Sequence, residues 1–365
     1  MRRAALFRPT SLETLAHLAI QSFLNEFAWR VEPEEAERVA GLVGRSEPEN
    51  VLRLACYQAL AEDAPGPTPV RAVVRTQVLD VEAERRFAES VPALTPIAEG
   101  TSQTVRAMYE ANPYPRWASL SRPVPNPASL DILVAGCGTG RHALHTALRH
   151  PNARVLAVDL SRASLGYAIR KGREAGISNV TFAQADLLHL PALGRTFDVV
   201  ESVGTLPCMA DPGEGLAALV SLTRPGGRLR LGLYSEEARK PLRAAQALGD
   251  DYPPTPEGIR AFRKRILDAP PGDPLRGPVD FADFYATSSC RDLLLHVQEH
   301  RHTIPQLAEM LGAAGLKFCG FDLPSQVLAR MAEAGDPADL MAWEAFEARN
   351  PATFRGMYQL WATRP

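Results

Sequence analysis

The spacing of apolar residues differs between the two ends of the chain. From residue 1 to about residue 64 apolar side chains recur every three or four positions, as in Leu12, Leu15, Ala16, Ala19 and Ile20. This is the period of an α-helix with one buried face. A charged stretch over residues 80–89 continues the helical pattern after a proline–glycine cluster at residues 64–69. The first part of the chain is therefore predicted to be helical.

From Leu130 onward short apolar runs alternate with helical stretches. Such alternation predicts buried parallel strands joined by helices. We expect a doubly wound, mostly parallel, seven-stranded sheet of the Rossmann-like α/β class, with helices on both faces. Residues 316–323 and 357–361 are the expected closing strands, and Thr303 to Gln306 has the pattern of a capping box that starts a helix. The apolar runs that predict the first five strands are 132–135, 155–158, 180–182, 199–203 and 229–233.

These patterns predict three parts of the chain. Residues 1–100 should form a helical N-terminal region. Residues 101–128, which are rich in proline from 112 onward, should form a connector or lid. Residues 129–365 should form the α/β domain, with a helical insertion over about 236–302.

Composition excludes several classes of protein. The chain has 45% hydrophobic and 22% charged residues and a formal net charge of −2, so no general basic field favours DNA. Its five cysteines are scattered without a C-x-x-C pair, which is typical of reduced thiols in the cytoplasm. No apolar run approaches the roughly 18 residues that a membrane span needs. We expect a cytoplasmic protein without DNA or membrane partners, and the sequence predicts no oligomeric state.

The most specific motif is the glycine-rich stretch from Ile132 to Gly140, which leads into a helix. Gly136, Gly138 and Gly140 follow the first predicted strand, where a tight turn must let a ligand approach the backbone. Arg141 stands where a dinucleotide fingerprint would have its third glycine. The alternative interpretation is a tight turn without a ligand.

Two carboxylates follow the next two strands. Asp159 ends the second predicted strand, where a carboxylate can accept from both hydroxyls of a ribose. Asp186 ends the third, where it can accept from an adenine amino group. Either residue could instead cap a helix. A glycine loop and two acids at three consecutive strand ends nevertheless favour the ligand crevice of a doubly wound sheet.

With these residues the chain resembles the class I methyltransferases, which use S-adenosylmethionine. The resemblance implies that the glycine loop contacts the methionine part of the cofactor, Asp159 the ribose and Asp186 the adenine. Val134 is a departure, because the family commonly has an acid at that place. The cofactor-binding residues implied by the resemblance are Gly136, Cys137, Gly138, Gly140, Asp159, Leu160, Asp186, Leu187 and Ser202.

A second resemblance involves the stretch Tyr109-Glu-Ala-Asn-Pro-Tyr-Pro-Arg-Trp117. It is similar to a signature of a bacterial methyltransferase group that is often fused to tetratricopeptide repeats. We expect this stiff segment to act as a lid, with Tyr109, Tyr114 and Arg116 as catalytic candidates that face the cofactor and the acceptor. The alternative is that it only packs the helical region onto the sheet.

His296 and His300 complete the list of catalytic candidates. They are four residues apart, so on a helix they would share one face. The stretch also fits the H-x-x-E-H pattern of inverted zinc proteases, but no third ligand is apparent, and no metal is expected. We expect the two histidines to form a polar wall of the acceptor site, and the alternative is a surface helix.

The expected function is methyl transfer from S-adenosylmethionine to a nucleophile of a small molecule or peptide, in preference to RNA. One alternative is a sensor or scaffold that binds the cofactor without turnover. Another is a nicotinamide-dependent dehydrogenase, against which the position of Arg141 argues.

Overall fold

The computed structural model describes all of residues 1–365. Its α-helices are, in chain order, α1 Arg2–Phe7, α2 Leu12–Leu24, α3 Pro33–Ala40, α4 Pro48–Ala55, α5 Thr68–Val74, α6 Asp80–Ser90, α7 Thr101–Ala111, α8 Arg141–Arg149, α9 Arg162–Glu174, α10 Pro212–Leu222, α11 Glu236–Arg239, α12 Arg243–Gln246, α13 Pro256–Leu267, α14 Thr287–Leu294, α15 Ile304–Ala313, α16 Ser325–Ala334 and α17 Ala342–Arg349. Its strands are β1 Asp131–Ala135, β2 Arg154–Asp159, β3 Val180–Gln184, β4 Phe197–Val203, β5 Thr223–Ser235, β6 Arg301–His302, β7 Lys317–Phe321 and β8 Tyr358–Thr363.

The predicted doubly wound, mostly parallel sheet is confirmed. Seven strands lie in the order β3-β2-β1-β4-β5-β8-β7, and the two-residue β6 pairs with β5 as an eighth. Only β8 runs antiparallel to its neighbours β5 and β7. Strand β1 is buried from Ile132 to Ala135 because helices cover both faces at the centre of the sheet. This explains why its sequence is a continuous apolar run.

The chain divides into two compact units, each built from segments that are separated in the sequence. One consists of Met1–Arg86, Pro115–Ala118 and Leu242–His296, and the other of Phe87–Tyr114, Ser119–Pro241 and Val297–Pro365. The first unit is helical. The second contains the sheet. Most of the helical insertion thus belongs with the N-terminal helices, a grouping that the linear order of the sequence does not indicate.

The helical unit has the amphipathic packing that the N-terminal spacing predicts. Helices α2, α4 and α5 bury Leu15, Ala19, Leu52 and Val70 against one another. A second apolar cluster centres on Phe262 of α13 and includes α14. No helix of the structure has the length and apolar composition that crossing a membrane requires.

The predicted capping box at Thr303 is also present. The hydroxyl oxygen of Thr303 accepts from the backbone N–H of Gln306, and the Gln306 side chain accepts from the backbone N–H of Thr303. This reciprocal pairing satisfies two backbone donors that a helix start would otherwise leave unpaired. It fixes the start of α15.

A buried ion pair joins α8 to β4. The carboxylate of Glu201 lies 2.9 Å from His142 Nε2 and accepts from the hydroxyl of Thr146 at 2.6 Å. Burial raises the pKa of Glu201, but the charge of His142 and the hydrogen bonds from His142 and Thr146 outweigh it and lower the pKa to about 2. The helix that follows the glycine loop is therefore fixed to the sheet by charge as well as by packing.

This ion pair predicts an acid-sensitive contribution to stability. Because the pKa of Glu201 is lower in the folded than in the unfolded chain, its contribution is complete above pH about 4.5 and lost as the pH falls towards about 2. Glu201→Gln should lower the free energy of unfolding at pH 7 by about 3–5 kcal/mol. It should also flatten the pH dependence between those values in urea unfolding. Exposed Glu333→Gln is the control, and parallel pH profiles for Glu201→Gln and the natural chain would contradict the prediction.

Candidate functional site

The carboxyl ends of the central parallel strands gather the predicted cofactor residues at one edge of the sheet. Gly136 follows β1, Asp159 ends β2, Asp186 lies just beyond β3, and Ser202 is near the end of β4. Because these strands are parallel and adjacent, their ends meet at the same edge. All of these residues belong to the sheet unit.

Gly136 is fixed by both its backbone conformation and its surroundings. Its φ is +74°, and a Cβ there would lie 1.9 Å from the hydroxyl oxygen of Thr205. That hydroxyl donates to the carbonyl of Ala135 at 3.2 Å. Only glycine combines this φ with such a close side chain. Thr205 therefore packs against the glycine loop, and no pattern in the sequence indicated this contact.

Gly140 starts α8 with a φ of +80° and brings that helix against α9. A Cβ at Gly140 would lie 2.4 Å from the Cβ of Ala168 in α9. Close helix packing is one of the reasons that glycine loops of nucleotide sites carry several glycines. The loop is therefore wedged between β1 and α9.

Asp159 holds the loop directly. One of its carboxylate oxygens accepts from the backbone N–H of Gly138 at 2.7 Å, and the other accepts from Ser161 at 2.9 Å. Burial raises its pKa. Each carboxylate oxygen has two acceptor sites, so each can still accept one further hydrogen bond. The residue can thus shape the loop and bind hydroxyl groups at the same time.

The side chain of Asp186 caps the helical turn that follows it. Capping was the alternative to adenine binding for this residue. One carboxylate oxygen accepts from the backbone N–H of Leu188, and the other from that of Ala98, each at 3.0 Å. Its own backbone N–H donates to the hydroxyl of Thr95 at 2.8 Å. Residues 92–98 run beside β3, where Ala93 forms a parallel bridge with Gln184. Sequence patterns did not associate this segment with the crevice, because it has no periodic signal of its own.

The start of the Tyr109–Trp117 segment lies beside the loop. The carboxylate of Glu110 accepts from the backbone N–H groups of Arg162 and Ala163, which begin α9, at 2.8 and 3.0 Å. A Cβ at Gly138 would lie 3.0 Å from the carbonyl oxygen of Tyr114. The backbone near Tyr109 and Tyr114 is thus held at the carboxyl edge of the sheet. The predicted connector also begins with a helix, because α7 covers residues 101–111.

Arg116 belongs to the helical unit. Its guanidinium forms ion pairs with Glu26 at 3.4 Å and Glu84 at 3.9 Å, and it lies 5.7 Å from the centre of the Phe23 ring. These contacts place Arg116 among the N-terminal helices.

The alternative interpretation of His296 and His300 as part of a surface helix is wrong. Helix α14 ends at Leu294, and residues 295–300 have no helical structure. His296 Nε2 lies 4.0 Å from Asp292 in the helical unit. His300 Nε2 lies 3.0 Å from the carbonyl oxygen of Met209 in the sheet unit. The two histidines therefore share no helix face, and the structure contains no group of three or more potential metal ligands.

The remaining predicted cofactor contacts have different surroundings. Cys137 and Leu187 are buried, and the carbonyl of Leu160 accepts from the side chain of Gln184 at 2.8 Å. The hydroxyl of Ser202 is fully buried and has no hydrogen-bond partner in the protein. An unpaired buried hydroxyl costs free energy, so a ligand group that pairs with it would be favoured.

Arg239, just beyond β5, forms a buried cluster that the sequence patterns did not resolve. Its guanidinium carbon lies 3.5 Å from the centre of the Tyr234 ring, and it pairs with Glu299 at 2.9 Å. Its Nε atom is buried without a partner. The pairing joins residues 60 positions apart, so spacing could not indicate it.

Comparison with known proteins identifies part of the chain. Residues 132–227 match the family model described as a methyltransferase domain. The cofactor of this domain is S-adenosylmethionine. The match covers β1 to the start of β5, which includes the glycine loop and both acids.

The relatives match only part of this chain, and the chain matches only part of each relative. An uncharacterized protein of a Synechococcus strain is 28% identical over 61% of this chain and 60% of its own length. The demethylmenaquinone methyltransferase of Thermobifida fusca is 34% identical over 30% of this chain and 45% of its own length. The chain thus spans less than two thirds of either relative. The solved structure of PKMT2 from Rickettsia typhi in complex with AdoHcy covers 66% of this chain and 50% of its own, with 18% identity and a TM-score of 0.47.

Proposed function

We propose that this protein transfers the methyl group of S-adenosylmethionine to a nucleophile of a small molecule or peptide. The observation that carries the proposal is the contact between Asp159 and the backbone N–H of Gly138 at 2.7 Å, because it joins the acid and the glycine loop into one binding edge. The cofactor would supply a methyl group on a positively charged sulfur. The protein would contribute position, orientation and exclusion of water.

In this proposal, different residues at the carboxyl ends of the strands bind different parts of the cofactor. The loop holds the methionine part, Asp159 and Leu160 the ribose, and Asp186 and Leu187 the adenine. The oxygens of Asp186 each retain one acceptor site beside their capping contacts, so capping and adenine binding are compatible. The buried hydroxyl of Ser202 is available for the methionine end. The loop residues concerned are Gly136, Cys137, Gly138 and Gly140.

The acceptor would lie beside the same edge. We assign Tyr109 and Tyr114 to this side because the backbone contacts of Glu110 and Tyr114 hold their segment there. His300 and the Arg239 cluster could supply further polar contacts to an acceptor. A small molecule is favoured because the Thermobifida relative is named for a small-molecule substrate. We also propose membership of the bacterial group that shares the Tyr109–Trp117 signature.

Binding and turnover can be tested separately. We expect calorimetry on the full chain to show one-to-one binding of S-adenosylmethionine and of S-adenosylhomocysteine. The absence of binding by a folded sample would overturn the cofactor assignment. Release of S-adenosylhomocysteine should then be measured with small-molecule and peptide fractions of a bacterial extract as acceptors. Cofactor binding without release in any fraction would overturn methyl transfer and favour a sensor.

Removing the hydroxyls of Tyr109 and Tyr114 should affect turnover more than stability. In Tyr109→Phe/Tyr114→Phe both rings can still pack, but two donors near the reaction are lost. We expect release of S-adenosylhomocysteine to fall about tenfold or more, while the unfolding midpoint changes little. Tyr252→Phe, whose ring stacks on Phe262 in the helical unit, is the control. Equal turnover of the double variant and the natural chain would assign the tyrosines to packing.

A further inference from the structure

A cavity lies at the amino ends of the parallel strands, opposite the strand ends that carry the glycine loop. It has a volume of about 440 Å³. It is lined by Leu130 before β1, by Asp198 and Val199 at the start of β4, and by residues 224–230 of β5. Because these are the amino ends of parallel strands, the cavity is separated from the cofactor edge by the length of the sheet. Its size is in the range of small-molecule sites.

Arginines dominate the charge of this cavity. Two of the four that line it are neutralised, since Arg224 pairs with Asp198 and Asp131, and Arg230 pairs with Asp322. Arg149 and Arg228 form no ion pair. The only other acid in the lining is Glu201, which is already paired with His142. The cavity therefore retains two uncompensated guanidinium groups.

Buried polar atoms in the same lining lack partners. His150 Nδ1 and Arg230 Nε are shielded from solvent and make no hydrogen bond. A buried nitrogen without a hydrogen-bond partner is unfavourable for stability. Because solvent reaches neither atom in this structure, a ligand in the cavity would pair with them only after their side chains move.

Trp361 of β8 forms part of the cavity wall. Strand β8 buries Tyr358, Leu360 and Ala362 on its other face, so Trp361 points towards the cavity side. The guanidinium of Arg228 stacks on the Trp361 ring at 4.4 Å. Arg230 is the register partner of Trp361 and lies 5.7 Å from the same ring. The Trp361 ring therefore contacts both arginines beside the cavity.

We propose that this cavity is a binding site for a phosphorylated small molecule, separate from the methyltransferase site. Two unpaired guanidinium groups match the two charges of a phosphate ester, and guanidinium groups bind phosphate oxygens with paired hydrogen bonds. His150 and Arg230 also line the cavity and carry further N–H groups. A volume of about 440 Å³ admits a ligand larger than phosphate itself, such as a nucleotide or a sugar phosphate.

Calorimetry on the full chain, saturated with S-adenosylhomocysteine to block the cofactor edge, tests this proposal. The probes are inorganic phosphate, pyrophosphate, AMP and glucose 6-phosphate, at constant ionic strength. We expect one-to-one binding of at least one phosphate ester and weaker binding of inorganic phosphate. Arg149→Gln/Arg228→Gln should weaken that binding at least tenfold. If the double variant is unstable, each single variant should weaken binding at least threefold.

The matched control is Arg173→Gln, because Arg173 stacks on Phe87 at the same 4.4 Å but lies outside the cavity. It should bind the probe as the natural chain does. Equal weakening by Arg173→Gln and the cavity variants, or no binding of any probe, would overturn the proposal. Binding of a short single-stranded RNA in place of every small probe would overturn it as well. Binding of S-adenosylhomocysteine at the strand ends beside the glycine loop is measured separately. The absence of phosphate-ester binding would therefore not contradict the methyltransferase proposal.

Discussion

Gly140→Ala is expected to destabilise the sheet unit and to weaken cofactor binding. The new Cβ would lie 2.4 Å from the Cβ of Ala168, which α9 cannot easily move. Alanine at a left-handed φ costs about 1–2 kcal/mol, and overpacking adds about 1–3 kcal/mol. We expect a loss of about 2–5 kcal/mol of unfolding free energy and at least a tenfold loss of affinity for S-adenosylhomocysteine.

Gly176→Ala separates the two causes. Gly176 has a similar φ of +69°, but a Cβ there would meet nothing within 4 Å. It should lose only the backbone contribution and keep normal cofactor affinity. Urea unfolding and calorimetry on both variants provide the comparison. Equal losses of stability in the two variants would mean that the contact between α8 and α9 is not as close as described.

Asp159→Asn is the second substitution with a large expected effect. The side chain keeps its size, but its amide NH₂ group would face the backbone N–H of either Gly138 or Ser161. The loop would lose an acceptor, and the proposed ribose contact would lose a charged one. A hydrogen bond to a charged group contributes about 1.5–3 kcal/mol, so affinity for S-adenosylhomocysteine should fall about 10- to 100-fold.

Asp211→Asn is the matched control. Asp211 accepts from the backbone N–H groups of Gly213 and Glu214 at the start of α10, so the same chemical change is made at another backbone-bound carboxylate. It should lower stability modestly and leave cofactor affinity unchanged. Unchanged affinity in Asp159→Asn as well would remove Asp159 from the binding edge and would call for a different ribose contact.

Gly140 and Asp159 are expected to support cofactor binding through different interactions. Gly140 acts through packing, since its lack of a side chain lets α8 approach α9. Asp159 acts through hydrogen bonds, since its oxygens fix the loop that a cofactor must approach. Comparing cofactor affinity with stability in both variants shows whether the loop is shaped mainly by helix packing or by the acid.

The sequence alone determined the class of fold and predicted that the proposed cofactor residues lie at one edge of the sheet. Apolar runs of three to five residues followed by helical periods predict parallel strands wherever both faces are covered, and β1 to β5 follow that rule. The glycine loop could be predicted because its backbone conformation requires glycine, which few other positions need. Capping at Thr303 was visible because both partners lie within three residues of each other.

Only the tertiary structure decided which distant residues meet. Nothing in the spacing associates Thr205 with Gly136, Ala98 with Asp186, or Arg239 with Glu299. The surface helix that was the alternative for His296 and His300 is absent, because a four-residue spacing permits a shared helix face without requiring one, and α14 ends at Leu294. The cationic cavity likewise depends on strand β8, which is far from β4 and β5 in the sequence and adjacent to β5 in the sheet. Local periodicity records which face of an element is buried, whereas the partner on that face is selected by packing and charge over the whole chain.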